Sequence, residues 1–200
     1  LDPFAGVALG APDRREVVAV LEGARLPAET HALIRTAERL AGRVAGCVAC
    51  ARPDEVAWAA ELVFVTTPDD IIAPVAAATS WSAQNSVVHC SGAASVDILE
   101  PAQRTGARVG AFHPLQSFSS VEAASANLPG STFALEAEEP LLDQLKELAQ
   151  ALEGKVVVLG PGDKVLYHAA AVIACNYFYT LVKLANDLWE RFGADSAQST

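Results

Sequence analysis

The sequence has little positive charge: 14 lysine and arginine residues stand against 24 aspartate and glutamate residues, a formal net charge of −10. The basic residues form no cluster. Nucleic acids and anionic membrane surfaces bind positively charged protein surfaces, so this balance argues against both as partners. A long uninterrupted apolar run is also missing, because Asn176 and Lys183 break the segment that begins at Ala169. We therefore expect no membrane-spanning segment and, without a signal peptide at the start, a cytoplasmic protein.

Cysteine is scarce as well, with four residues in the chain. Cys47 and Cys50 form a C-x-x-C pair, which in other proteins holds zinc or undergoes thiol–disulfide exchange. A second such pair and a nearby histidine are both missing, so a zinc site would lack half of its ligands. Residues three apart on a strand also point to opposite faces. The sequence therefore favours free thiols in a reducing compartment and predicts no metal site.

Three apolar segments each run into small polar residues. They are ELVFVTTPDD at 61–70, SVVHCSGA at 86–93 and RVGAFHPLQSF at 108–118. In a parallel sheet the carboxyl ends of neighbouring strands meet at one edge, and ligands bind in the crevice outside that edge. We expect the polar ends of these three segments to form the functional site.

Strands and helices alternate along most of the chain, and hydrophobic residues make up 52% of it, enough for a sizeable core. Strands are predicted at 15–22, 44–49, 62–66, 87–90, 108–112, 132–135 and 155–159. Helices are predicted at 28–40, 53–60, 68–78, 95–105 and 140–152, with a helical loop at 119–127. From residue 163 to about residue 192 the pattern becomes one long helix. The predicted fold class is α/β, a doubly wound parallel sheet at 1–161 followed by the start of an all-helical domain at 162–200.

Four segments together carry a family resemblance: ELVFVTTPDD, VVHCSGA, RVGAFHPLQSF and LYHAAAVIACNY. In this order they resemble the Rossmann-like proteins that carry the domain of unknown function DUF2520. That group is related to the 6-phosphogluconate dehydrogenase-like reductases, which include the pyrroline-5-carboxylate, ketopantoate and coenzyme F420-dependent NADP reductase types. The resemblance covers roughly residues 33–193. It implies a Rossmann-like nicotinamide-binding domain, a helical C-terminal domain that often dimerises, and a small-molecule oxidoreductase.

The beginning of the chain departs from the family pattern. Members open with a strand and a GxGxxG turn, whose glycines let a pyrophosphate approach the N-terminus of a helix. Here GVALGAPDRREVVAV, at 6–20, is predicted to be the tail of that first helix running into the second strand. Gly6 is then expected to be the last glycine of the fingerprint. Two explanations stay open: a fragment, or a variant that has lost part of its cofactor site.

The resemblance places a nicotinamide cofactor along two of the strand ends. The predicted cofactor-binding residues are Gly6, Thr66, Thr67, Pro68, Asp69, Cys90, Ser91 and Gly92. The residues after the strand at 62–66 would lie along the nicotinamide half, although they also suit a plain strand-to-helix turn with proline at the helix start. The small residues after the strand at 87–90 would let a flat ring approach the backbone. Nucleophilic catalysis by Cys90 with His89 is not expected, because neighbours on a strand point to opposite faces.

The identity of the cofactor depends on the end of the second strand. Glu22 would favour NAD by accepting hydrogen bonds from the ribose hydroxyls, whereas Arg25 would favour the 2′-phosphate of NADP. The family resemblance favours NADP, and NAD stays possible.

Substrate contacts are predicted at the third strand end. The backbone of His113 is held extended by Pro114, so its ring has a fixed direction. Together with Gln116 and Ser117 it could orient a carbonyl or carboxylate group of the substrate. A structural hydrogen-bonding role for His113 is an equal alternative.

The long helix adds His168, Asn176 and Lys183, which on a regular α-helix fall in one polar stripe on an apolar surface. Related dehydrogenases carry a Lys-x-x-x-Asn pair on this helix, but Val172 stands at the lysine position here. His168 is therefore predicted to replace the lysine as general acid, because an imidazole titrates near neutral pH. The alternative is that His168 and Asn176 satisfy each other or a loop backbone.

Two functions follow from these predictions. The first is an NAD(P)H-dependent oxidoreductase that reduces a small carboxylated substrate with a C=O or C=N bond, with His168, Asn176 and His113 as catalytic residues. The second is a non-catalytic Rossmann-like module that binds a ligand or a partner and has lost the glycine-rich loop. A homodimer is expected in either case, since an apolar face on the last helix needs cover.

Overall fold

The computed structural model describes residues 4–11, 14–23, 42, 47–116 and 126–193. In these residues eight strands form a single sheet. The strands are β1 (Phe4–Ala11), β2 (Arg14–Gly23), β3 (Cys47–Cys50), β4 (Leu62–Val65), β5 (Ser86–His89), β6 (Arg108–Leu115), β7 (Thr132–Ala137) and β8 (Lys155–Val158). Their order across the sheet is β3-β1-β2-β4-β5-β6-β7-β8.

The centre of the sheet is parallel. Strands β2, β4, β5 and β6 run in the same direction, and β8 is parallel to β7. The antiparallel pairs lie outside that centre, between β6 and β7 and between β1 and its two neighbours. Parallel strands that alternate with helices along the chain are the Rossmann-like arrangement, so the predicted fold class is confirmed.

The start of the chain differs from the prediction. Residues 4–11 form a strand, β1, and not the tail of a helix. Gly6 lies inside this strand, where it pairs with Leu21 on one side and Cys50 on the other. A fingerprint glycine must sit in a strand-to-helix turn, so the prediction that Gly6 ends such a turn is wrong. The predicted helix at 28–40 lies outside the described residues.

Strand β6 also differs from the prediction, which ended it before Pro114. The strand continues through Pro114 to Leu115, because its outer half pairs with β7 and no longer with β5. Proline is tolerated in a strand where its missing N–H is not needed by a neighbour. His113 therefore lies within a strand and not in the loop that follows it.

In the part of the chain that the structure describes, the following helical segments pack on this sheet or connect its strands. They are α1 (Pro53–Ala59), α2 (Asp69–Ala78), a 3₁₀ turn at Val96–Leu99 that leads into α3 (Glu100–Gln103), and α4 (Leu141–Ala151). Helix α2 begins directly after Pro68 and carries Asp69 and Asp70 in its first turn, where carboxylates favour the helix dipole. In α4, buried Leu141, Leu145 and Ala149 repeat at helical spacing, as the sequence pattern predicts.

Each face of the sheet has its own apolar core. On β4 and β5, Val63, Val65 and Val87 pack with α1, α2 and α3 on one face. Their neighbours in the strands, Phe64 and Val88, point the other way, towards α4. This second core also holds three rings in contact: Phe112 stands edge-on to Phe64 at a centroid distance of 5.8 Å and lies 4.7 Å from Phe133. Successive side chains of a strand point to opposite faces of the sheet. Since both faces are covered here, β4 and β5 need apolar residues at almost every position, and the sequence has them.

The chain divides into two compact units, Leu1–Pro161 and Gly162–Thr200. In the second unit, α5 (Asp163–Val172) and α6 (Phe178–Glu190) are joined by one wider π-helical turn, Ile173–Tyr177. The sequence predicts an uninterrupted helix here. The π turn changes the angular offset between His168 and Asn176 from the value that a regular α-helix would give.

The helix that spans Asp163–Glu190 is 28 residues long, and its most apolar 18-residue stretch has a mean hydropathy of 1.4. By length and composition alone, it could cross a membrane. Helices of soluble proteins pass the same test, so this is weak evidence. The expectation of no membrane-spanning segment stays a prediction.

Candidate functional site

The register of the sheet brings the ends of β4, β5 and β6 to one edge. Val65 pairs with His89, and His89 pairs with Ala111. The segments that follow these residues, 66–69, 90–92 and 112–113, therefore start at the same level of the sheet. This is the carboxyl edge, where ligands bind in open parallel sheets.

Thr67 is the most informative side chain at this edge. It is 7% exposed, and its hydroxyl oxygen is shielded from solvent without a hydrogen-bond partner among the described residues. The neighbouring Thr66 is exposed. A buried hydroxyl without a partner costs about 1–3 kcal/mol, so native proteins seldom keep one unless it has another use. The position of Thr67 fits a hydroxyl that serves a ligand.

Ser91 organises the turn after β5. Its backbone N–H donates to Nδ1 of the fully buried His89 at 3.1 Å. Its hydroxyl oxygen accepts hydrogen bonds from the N–H groups of Ala93 and Ala94, at 3.1 and 3.0 Å. The sequence predicts Ser91 as a cofactor contact, whereas its hydroxyl here holds the loop.

Cys90 is half-buried and packs against the second core. Its side chain therefore packs on the apolar face of the sheet, while the imidazole of His89 accepts a hydrogen bond from the loop.

Cys47 and Cys50 are free thiols on β3. Burial raises the pKa of the Cys50 thiol, with further increases from the negative charges of Glu55 and Cys47, and this lowers its reactivity. Within the described residues, no group of three or more His, Cys, Asp or Glu side chains is placed to hold a metal ion.

Gly92 and His113 are in direct contact across the carboxyl edge. A Cβ atom on Gly92 would lie 2.7 Å from Nε2 and 2.9 Å from Cε1 of His113. Only a glycine leaves room for the imidazole in this position. The sequence predicts that Gly92 admits a flat ring to the backbone, and the structure places the ring of His113 there. Both residues are found from the sequence, but their contact is not.

Gln116 ties the end of β6 to the turn before β7. Its Nε2 donates to the carbonyl oxygen of Asn127 at 3.4 Å and to the hydroxyl of Ser131 at 3.3 Å. Ser131 in turn donates to the same carbonyl at 2.8 Å. Gln116 thus has a bridging role within the chain, which the sequence does not predict. Ser117, the other predicted substrate contact, lies outside the described residues.

The helical unit holds the remaining predicted catalytic residues. Nδ1 of His168 is shielded from solvent and has no hydrogen-bond partner among the described residues. Asn176 is exposed and lies in the π turn, a feature that often marks functional sites. Lys183 is engaged with Asp187 at 2.9 Å. His168 and Asn176 belong to the second compact unit, and the prediction that they face the loops of the sheet stays a prediction.

The residues of the carboxyl edge fit the nicotinamide half of a dinucleotide in one respect. The shielded hydroxyl of Thr67 offers a hydrogen bond that the described protein groups do not use. The pyrophosphate half is different, because it needs a glycine turn at a helix N-terminus and Gly6 lies in a strand. No such turn lies in the part of the chain that the structure describes.

A family model for Rossmann-like domains matches residues 6–114, more than half of the sequence. The chain belongs to the Rossmann-like family. A second model, the domain of unknown function DUF2520, matches residues 131–200. Both agree with the resemblance seen in the four sequence motifs. The DUF2520 match begins at β7, so it includes the last part of the sheet unit as well as the long helix. No curated protein matches the chain.

Solved structures show the same fold. Protein TM1727 from Thermotoga maritima is 33% identical, with a TM-score of 0.58, over 68% of this chain and 52% of that protein. A reductive aminase from Aspergillus terreus in complex with NADPH is 15% identical, with a TM-score of 0.58, over 72% of this chain and 51% of that one. A 1-pyrroline-5-carboxylate reductase from Streptococcus pyogenes is 13% identical, with a TM-score of 0.61, over 90% and 63%. The chain thus spans about half to just under two thirds of the length of these proteins.

Proposed function

We propose that the protein is an NADP(H)-dependent reductase of a small carboxylated substrate with a C=O or C=N bond. The observation that carries the proposal is the Thr67 hydroxyl at the carboxyl edge of a Rossmann-like sheet, which is shielded from solvent and has no partner among the described residues. The fold shared with an NADPH-bound reductive aminase and a pyrroline-5-carboxylate reductase supports the same chemistry. NAD remains the alternative cofactor, since Arg25 lies outside the described residues.

The cofactor, when bound, supplies the hydride, so the protein has to position the reactants and deliver a proton. The loop of Thr66, Thr67, Pro68 and Asp69 would hold the nicotinamide end through the Thr67 hydroxyl. The turn of Cys90–Gly92 would set the position of His113, because Gly92 packs directly against that imidazole. His113 then orients the substrate carboxylate or carbonyl from a fixed ring.

The roles of the other residues follow from the predicted chemistry. Asn176 would orient the substrate from the π turn, and Gln116 with Ser117 would complete the substrate site. His168 would donate the proton to the reduced oxygen or nitrogen, and its Nδ1 has no partner among the described groups.

The Thr67→Val variant tests the cofactor contact. Valine keeps the shape of threonine and removes the unpartnered hydroxyl, so the free energy of unfolding should stay unchanged or rise. Affinity for NADPH, read by fluorescence titration, should fall about threefold to tenfold, as expected for one lost hydrogen bond.

Thr79→Val is the matched control. Thr79 is equally buried, but its hydroxyl donates to the carbonyl oxygen of Val75 at 2.8 Å. This variant should lose about 1 kcal/mol of stability and keep its NADPH affinity. Equal NADPH affinity in the wild type and in Thr67→Val would remove the main support for the proposal.

The His168→Ala variant tests the general acid. Turnover should fall by about 10²-fold or more, while the dissociation constant for NADPH should hardly change, because a proton donor acts on the substrate and not on the cofactor. Steady-state kinetics and the same titration give both values. Equal losses in turnover and in cofactor affinity would contradict the role as general acid.

The rival function is a Rossmann-like module that binds a ligand or partner without catalysis. The position of Gly6 inside β1 favours it, because the described residues then offer no glycine turn for the pyrophosphate. Titration of the folded protein with NADPH and with NADH separates the two functions. Binding of neither nucleotide would favour the module.

The protein is further proposed to act as a homodimer in the cytoplasm. The apolar stripe of α6 supports the dimer: Leu181, Leu184 and Leu188 repeat at helical spacing and are all exposed. Sedimentation over a range of concentrations measures the oligomeric state. The acidic charge balance and the reduced thiols Cys47 and Cys50 are consistent with the cytoplasm.

A further inference from the structure

A second site is built at the opposite, amino edge of the same strands. Leu62, Ser86 and Arg108 open β4, β5 and β6 and pair with one another in register. Residues in register on parallel strands point to the same face, here the face covered by α4. Leu62, Ser86 and Arg108 line an open groove of about 280 Å³ together with α4.

Helix α4 closes the groove with one stripe of its surface. Gln144, Glu147, Leu148 and Ala151 line it, and their spacing of i, i+3, i+4 and i+7 places them on one side of the helix. Gly110 allows this close approach, since a Cβ there would lie 3.2 Å from Cδ2 of Leu141. The groove is therefore set by the packing of regular elements and not by a loop.

Arg108 is the charged centre of the groove. Its Nε donates to the hydroxyl oxygen of Ser86 at 3.0 Å, and Ser86 is only 2% exposed. This hydrogen bond uses Nε and leaves the end edge of the guanidinium group, formed by its two terminal nitrogens, without a partner among the described residues. Glu61 and Glu147 line the same groove, yet neither forms an ion pair with Arg108 among the described residues. A guanidinium with two open terminal donors matches a carboxylate through two parallel hydrogen bonds.

The rest of the lining restricts the ligand further. Glu61 and Glu147 are carboxylates, so a simple anion would be repelled, whereas a ligand that also carries an ammonium group would be attracted. Leu62, Leu148 and Ala151 supply an apolar surface. The volume lies just below the usual range for ligand pockets, which limits the ligand to a small molecule.

We propose that this groove binds a small apolar α-amino acid as its zwitterion. The carboxylate would pair with Arg108, the ammonium group with Glu147, and the side chain would lie on Leu62, Leu148 and Ala151. The site lies at the end of the sheet away from the proposed cofactor loops. It does not depend on the proposed reductase activity.

The test uses leucine as the probe, titrated into the protein without nucleotide and followed by calorimetry. Two matched probes each lack one charge: 4-methylpentanoate lacks the ammonium group and 3-methylbutylamine lacks the carboxylate. Leucine should bind at least about tenfold more tightly than either. Arg108→Gln and Glu147→Gln should each weaken leucine binding by a similar factor.

The control variant is Arg104→Gln, which removes an exposed arginine that pairs with Glu100 and does not line the groove. It should bind leucine like the wild type. If Arg108→Gln fails to fold, Glu147→Gln carries the test, because Glu147 is an exposed residue on α4. Absence of leucine binding to the folded wild type, or equal binding of 4-methylpentanoate, would overturn the proposal. NADPH titration of the same sample reports separately on the proposed function.

Discussion

Large apolar side chains are mostly buried in the sheet unit and mostly exposed in the helical unit. In the sheet unit Phe133 and Leu145 are almost fully buried, whereas in the helical unit Phe178 is 61% exposed and Leu184 is 54% exposed. Both units contain regular structure with a clear apolar pattern. The first carries its own core on both faces of the sheet, whereas the described residues of the second, 162–193, form a helix without a core of its own.

The difference shows that an apolar pattern predicts a surface to be covered and does not say what covers it. In α4, the buried stripe meets β6, β7 and β8 within the same unit. In α6, the stripe of Leu181, Leu184 and Leu188 is exposed. Stability should therefore respond strongly to truncation in the sheet unit and weakly in the helical unit.

The largest effect is expected for Phe133→Ala. Phe133 contacts the ring of Phe112 and packs so closely on Gly154 that a Cβ there would overlap it. Truncation leaves a cavity in the second core and should cost about 3–5 kcal/mol of unfolding free energy. Urea denaturation measures it. Phe178→Ala, compared at a concentration at which the protein is monomeric, should change stability by less than about 1 kcal/mol, since the side chain is already exposed. Similar costs at the two positions would contradict the contrast between the units.

An intermediate effect is expected for Gly92→Ala. The added methyl group overlaps the imidazole of His113 and should cost about 1–3 kcal/mol. Removing the ring should relieve the overlap, so in a His113→Ala background the same substitution should cost much less. Urea denaturation of the four proteins in this double-mutant cycle gives the coupling energy. An equal cost of Gly92→Ala with and without the ring would show that His113 does not lie against Gly92.

Much of the fold can be predicted from the sequence where pattern and propensity agree. Strands β4 and β5 are short, β-branched and apolar at almost every position, and α4 has a clean amphipathic period. In residues 4–11, pattern and propensity do not agree on one structure. FAGVALGA is rich in alanine and glycine without a period, and pairing with β2 and β3 decides its structure. A long-range pairing of this kind leaves no local signal.

The candidate site can be predicted only as a set of strand ends. The motifs place Thr66 and Thr67 side by side, but the packing of the strand end decides that Thr67 is the buried one. The contact of Gly92 with His113 depends on the register of His89 with Ala111 and on the extension of β6 past Pro114. The amino-edge groove depends on register in the same way, since Leu62, Ser86 and Arg108 are far apart in the chain. Local sequence fixes none of these registers.

The smallest effect on stability is expected for Leu184→Glu, and it sharpens the comparison most. In a single chain Leu184 is exposed, so the substitution should leave the unfolding free energy of the monomer within about 0.5 kcal/mol of the wild type. If a second copy covers the stripe, the buried charge should instead weaken dimerisation by at least about tenfold, measured by sedimentation. Lys183→Gln is the matched control, because it lowers the net charge by the same amount at a residue outside the apolar stripe. The Lys183 side chain pairs with Asp187. A wild-type protein that is monomeric at every concentration would reject the dimer, and the apolar stripe would then need another partner.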